Sequence, residues 1–173
     1  MRKNLVLLGM MGVGKTTLGK ILAKNYKLGF VDIDSKIEEK TMMSINEIFE
    51  KKGEKFFREE EEKIALNFLN KKNCIVALGG GAFINAFIRK EIKDSCLSFW
   101  LDLDVNSLLL RLKNVKKRPL LDENKLKESI NEIYSKRKKI YNESNFRIKC
   151  NSMDKDEIIY KIIKLYENSR NQI

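Results

Sequence analysis

Gly9, Gly12 and Gly14, followed at once by Lys15 and Thr16, bring together the groups needed to hold a chain of phosphates. The run Gly9-Met10-Met11-Gly12-Val13-Gly14-Lys15-Thr16 fits the pattern glycine, four residues, glycine, lysine, then serine or threonine. Glycines let successive backbone N–H groups converge on phosphate oxygens, and a following helix adds the positive end of its dipole. Lys15 would reach the β- and γ-phosphates, and the Thr16 hydroxyl stands where one Mg²⁺ bridging those phosphates takes an oxygen ligand. The expected nucleotide contacts are therefore Met11, Gly12, Val13, Gly14, Lys15, Thr16 and Thr17.

Further along the chain lie groups suited to a small polar acceptor. Asp32 and Asp34 end the run Phe30-Val31-Asp32-Ile33-Asp34, where a period of two would point both carboxylates the same way. One could hold Mg²⁺ through water, with Thr16, while the other accepts from a substrate hydroxyl; alternatively Asp34 only caps the next helix. Arg58 opens the run Arg58-Glu59-Glu60-Glu61-Glu62, and helical spacing brings Glu61 and Glu62 to its side. A guanidinium held in that way receives a carboxylate, although such a charged run equally suits a solvated helix face. Gly79-Gly80-Gly81 exposes backbone N–H groups at the end of an apolar run, and Arg118 beside Pro119 could cover a transferring phosphoryl group. The chain has no histidine, so proton transfer falls to a carboxylate.

These groups need a scaffold, and 173 residues suit one α/β domain spanning 1–173. Five short apolar runs, at 4–8, 29–32, 74–78, 97–101 and 146–149, alternate with helical patterns at 15–27, 35–41, 45–70, 85–92, 105–113, 124–143 and 154–170. Such alternation predicts a parallel sheet with helices on both faces. Ser44-Ile45-Asn46-Glu47 is a capping box that starts a helix at Ile45, and Gly53 divides two helices. The long connection after the second run, about 33–62, leaves room for a substrate-binding insertion, and the polar stretch around the single proline, about 112–124, reads as a lid loop.

Composition bounds the partners. Lys and Arg number 35 against 24 Asp and Glu, a net +11, but the lysines are scattered and no nucleic-acid module accompanies them. Neither nucleic acid nor a membrane is an expected partner. No run of eighteen apolar residues and no secretory leader is evident, and Cys74, Cys96 and Cys150 lack metal-type spacing, so a cytoplasmic protein with reduced thiols is expected.

In series, Gly9 to Thr17, Asp32-Ile33-Asp34, Phe57-Arg58-x-x-Glu61, Gly79-Gly80-Gly81, Arg118-Pro119-Leu120 and Arg137-x-x-x-Tyr141 resemble the shikimate kinases. The resemblance implies a P-loop kinase fold with a five-stranded parallel sheet of order 2-3-1-4-5, acting as a monomer on ATP and shikimate with Mg²⁺. It implies transfer of the γ-phosphate to the 3-hydroxyl, with Lys15, Asp34 and Arg118 catalytic. It further assigns Arg58 and Arg137 to the substrate carboxylate, Asp34 and the Gly79, Gly80 and Gly81 amides to the hydroxyls, Glu61 to orienting Arg58, and Arg111 and Arg118 to the nucleotide.

Two positions depart from that pattern. Ala77 stands where the family often has a hydroxyl residue, and Cys150-Asn151-Ser152-Met153 offers no arginine to stack on adenine. Competing expectations are a sister kinase acting on gluconate or a nucleoside monophosphate, a GTPase, for which no Asn-Lys-x-Asp motif is present, and a non-enzymatic basic nucleotide- or nucleic-acid-binding module.

Overall fold

The computed structural model describes residues 3–112, 119–121 and 125–170. Its centre is β1 (Asn4–Leu8), every residue of which is buried. A strand with no polar face must be covered on both sides, as in parallel sheets flanked by helices. Around it stand β2 (Gly29–Asp32), β3 (Cys74–Ala77), β4 (Cys96–Asp102) and β5 (Phe146–Lys149), all parallel, in the order β2-β3-β1-β4-β5. The helices are α1 (Lys15–Tyr26), α2 (Ile33–Thr41), α3 (Ile45–Lys51), α4 (Gly53–Leu69), α5 (Ala86–Ser95), α6 (Val105–Leu112), α7 (Leu126–Tyr141) and α8 (Lys155–Arg170).

Each apolar run of the sequence became a strand, since a continuous Val/Ile/Leu stretch can be buried on both faces only inside such a sheet. Helix boundaries were also set locally. Ser44 Oγ accepts from the Glu47 N–H while Glu47 Oε2 accepts from the Ser44 N–H, the reciprocal capping box that starts α3. Gly53, at φ 82°, turns the chain between α3 and α4, a left-handed conformation that an L side chain resists.

One expectation about the elements failed. The alternation read into Asp32 and Asp34 does not exist, because α2 begins at Ile33 and Asp34 already lies in its first turn. Asp32, not Asp34, caps that helix, its Oδ1 accepting from the Ser35 N–H at 3.4 Å. Four residues of strand were too few to carry the period past Asp32, and a carboxylate followed by a helix-forming run favoured a cap.

The sheet edge at the carboxyl ends of β1, β2, β3 and β4 positions the site. Helix α7 is tied to that edge at two points: Tyr134 Oη donates to Asp102 Oδ1 at 2.8 Å, and Tyr141 Oη donates to the Gly80 carbonyl. Arg147 Nη2 donates to the other Asp102 oxygen at 2.7 Å, while its guanidinium lies over Trp100 at 4.6 Å. Burial, aided by the bond to Asp102, pushes the Tyr134 hydroxyl up to about 12, so it stays a donor at neutral pH.

Candidate active site

The phosphate loop connects β1 to α1. Gly9, Gly12 and Gly14 all have positive φ, and Gly14 stands at the start of α1 with no side chain capping the first turn. The helix therefore presents its first N–H groups unblocked, a ready site for an anion. Lys15 Nζ donates to the Gly9 and Met10 carbonyls at 2.9 and 3.0 Å, which folds the ammonium back over the loop. Thr16 Oγ1 donates to Asp32 Oδ2 at 2.5 Å. That bond leaves the hydroxyl lone pairs directed away from Asp32 and ties the loop to the end of β2.

Beside the loop is an open cleft. Asp34, Arg58, Glu61 and Arg137 give it charge, while Ile45, Phe49 and Phe57 form an apolar wall. Met11 lines it as well, and a Cβ built on Gly80 would lie 3.5 Å from the Met11 N and 3.7 Å from the Gly9 carbonyl oxygen. The glycine run after β3 thus packs directly on the phosphate loop.

The same glycines make room for the charged groups. A Cβ on Gly79 would fall 2.5 Å from Glu61 Oε1 and 2.6 Å from Asp34 Oδ1, and one on Gly81 would meet the Arg58 guanidinium at 2.6 to 2.9 Å. No other residue type fits at either position without moving these side chains. Arg58 Nη1 donates to Glu61 Oε2 at 2.6 Å, and its Nε and Nη2 donate to Glu54 Oε1 at 3.1 and 3.0 Å. The sequence pointed to Glu61 and also to Glu62, but Glu62 instead accepts from Asn85 Nδ2 at 2.6 Å. Residue 54, on the amino-terminal side of the arginine, takes the remaining place; the i−4 spacing was legible but hidden beside a run of four glutamates.

Burial and neighbouring charges both act on the ionisable groups of the cleft. Burial raises the Glu61 carboxyl above the ordinary glutamate value; the Arg58 guanidinium opposes that rise and the neighbouring Asp34 adds to it. Burial also works against the charge on Arg58, but Glu61 and then Glu54 outweigh it and hold its pKa above the ordinary arginine value. Glu61 Oε1 and Arg137 Nη1 are both buried and find no hydrogen-bond partner among the described residues. A donor and an acceptor left open in this way cost stability unless something completes them.

On the other side of the loop, Gly12, Val13, Gly14 and Thr17 face Arg111, Met153, Asp154 and Ile158 across a second groove. Arg111 Nη1 donates to the Val13 carbonyl at 3.0 Å. Asn151 is engaged with Asp104, donating from Nδ2 at 2.6 Å and accepting from its N–H at 3.1 Å, and Met153 lines this groove. Arg118, singled out in the sequence, lies outside the described residues, as does most of the stretch about 112–124. Pro119 and Leu120 are described and line the cleft.

Comparison with known proteins agrees with this geometry. Residues 11–167 match the family model described as shikimate kinase. A shikimate kinase of Sulfurihydrogenibium sp. is 41% identical over 161 residues, covering 93% of this chain and 96% of its own. One of Thermodesulfovibrio yellowstonii is 40% identical over 169 residues, covering 98% of each. Among solved structures, a shikimate kinase from Acinetobacter baumannii in complex with shikimate superposes with a TM-score of 0.93 at 32% identity, covering 98% of this chain and 95% of that one.

Proposed function

The chain belongs to the shikimate kinase family, and from that premise we propose how its residues move the γ-phosphate of ATP to the 3-hydroxyl of shikimate. The observation that supports the assignment most strongly is the gathering of two arginines, Arg58 and Arg137, with the half-buried Asp34 and the buried Glu61 in one cleft against the phosphate loop. Shikimate carries one carboxylate and three hydroxyls, and this set offers cations for the first and acceptors and amides for the second.

Arg58 and Arg137 receive the carboxylate; the open Nη1 of Arg137 supplies one of the donors. The Gly79 to Gly81 amides and Asp34 hold hydroxyls, and Asp34 accepts the proton of the attacking hydroxyl as its oxygen bonds to the γ-phosphorus. The bond from that phosphorus to the bridging oxygen breaks, and ADP leaves with the negative charge. A loose transition state asks little of the base, so placement counts for more than basicity. Lys15 exchanges the Gly9 and Met10 carbonyls for the phosphates, and Arg118 covers the transferring group when the lid closes. Arg111 borders the base of the nucleotide.

The donors present fit Mg²⁺. Among the described residues no cluster of three or more acidic, cysteine or histidine side chains could hold a metal alone, but Thr16 and Asp32 offer the one or two oxygen ligands that Mg²⁺ takes beside phosphate oxygens and water. Bound there, the ion would neutralise charge on the β- and γ-phosphates.

Steady-state kinetics of Arg58→Ala test the assignment. A charged hydrogen-bonded receptor is worth about 1.5 to 3 kcal/mol, so the shikimate KM should rise about 10- to 100-fold. The ATP KM should stay near the parent value. Equal losses for both substrates would contradict the assignment.

A further inference from the structure

Arg58 has five N–H donors, and bonds among the described residues account for three of them. Nε and Nη2 each give one to Glu54 Oε1, and Nη1 gives one to Glu61 Oε2. One N–H is left on each of the two terminal nitrogens. The guanidinium is also confined on its faces, with Gly81 too close to admit a Cβ and the Phe57 ring centroid 5.0 Å from Cζ.

The two glutamates hold it in different ways. Glu61 is buried, its side chain 2% exposed, whereas that of Glu54 is 52% exposed. Glu54 lies in the first turn of α4, four residues before Arg58, and Glu61 three residues after, so all three occupy one helix face. Glu61 alone grips a single terminal nitrogen, about which the guanidinium could still swing. Glu54 grips the opposite edge, at Nε and Nη2, and removes that freedom. Glu54 also lines a groove shared with Arg137 and Lys136 on α7, which places it beside the second arginine of the cleft.

We infer that Glu54 is a positioning residue for the phosphoryl acceptor: it fixes the rotation of the Arg58 guanidinium so that the two remaining N–H groups already face the substrate carboxylate before it arrives. This rests on Arg58 being the carboxylate receptor. The gain is pre-organisation, because an arginine free to rotate must be ordered at the moment of binding. It acts on the affinity for the acceptor and not on phosphoryl transfer itself.

The test is a kinetic comparison of Glu54→Gln, Glu54→Asp and Arg58→Ala with the parent enzyme, varying shikimate and ATP separately. Glu54→Gln should raise the shikimate KM about 3- to 10-fold, the scale of ordering one rotamer-rich side chain, with kcat and the ATP KM unchanged. Glu54→Asp keeps the charge but is one methylene short of the Arg58 edge, and should behave like Glu54→Gln. In an Arg58→Ala background, Glu54→Gln should change the KM no further. An unchanged or lowered KM in Glu54→Gln would overturn the inference, the lowered value marking Glu54 as a competitor of the substrate. A parent-like Glu54→Asp would overturn it too, since charge without reach would then suffice. If Arg58→Ala raises the KM and Glu54→Gln does not, the receptor role stands and the positioning role alone falls; if Arg58→Ala leaves the KM unchanged, the receptor role itself is wrong.

Discussion

Gly79 shows how tightly single residues are specified here. Two carboxylate oxygens, from Glu61 and Asp34, sit within 2.6 Å of where its Cβ would be, so a methyl group must displace one or both. Gly79→Ala should therefore lower kcat/KM for shikimate on the order of 100-fold, the cost of shifting reacting groups by about 1 Å. The ATP KM should change little, because the phosphate loop is held by its own glycines and by Thr16 to Asp32. Steady-state kinetics with each substrate varied would show an equal rise in both KM values if Gly79 served only the fold. Lys15→Ala belongs to the same scale. Its ammonium donates to the Gly9 and Met10 carbonyls of the loop, and removing it should lower kcat by about 100-fold or more while shikimate binding, read by calorimetry, persists. At this scale the sequence was most legible where spacing alone decides contact, as in Gly9 to Thr16 and Arg58 with Glu61. It misled where a contact depended on which element a residue joined: Asp34 was read on a strand and lies on a helix, and Glu62 turned to Asn85.

The elements were legible for a simple reason. Apolar runs of four to seven residues can be satisfied only between two helical layers, and all five became strands. The break between α3 and α4 followed from one glycine, and the start of α3 from one capping box. What could not be read was the pinning of α7, because Asp102, Tyr134, Tyr141 and Gly80 are far apart in the chain and only the fold joins them. The capping box also gives α3 a pH dependence. The Ser44 N–H, then Lys51 and the Ser44 hydroxyl, lower the Glu47 carboxyl from 4.5 to about 2. Because the folded pKa lies below the unfolded one, its contribution is present above about pH 4.5 and is lost as pH falls toward 2. Glu47→Gln should thus have a lower Tm than the parent at pH 6, and the difference should close between pH 4.5 and 2. A Tm gap independent of pH would mean that the hydrogen bonds count and the charge does not.

For the whole molecule, the net charge of +11 meets two anionic substrates and so works mainly on encounter. Screening shortens the reach of surface charge to about 10 Å at 0.1 M salt, so kcat/KM for ATP should fall several-fold between 0.05 and 0.5 M while kcat holds. Binding also couples to folding. Shikimate at 100 times its Kd should add about 2.7 kcal/mol to stability, a Tm rise of about 5 to 10 °C, and Arg58→Ala should remove about half or more of it at the same concentration. The cleft of Asp34, Arg58 and Arg137 is expected to present shikimate to a phosphate held by Lys15. The most direct measurement is the initial rate of ADP release from ATP and Mg²⁺ with shikimate, gluconate or AMP offered in turn. Turnover with shikimate, abolished by Lys15→Ala and shifted to high KM by Arg58→Ala, is the predicted result. Turnover with gluconate or AMP and none with shikimate would leave the phosphate loop standing and contradict the acceptor site.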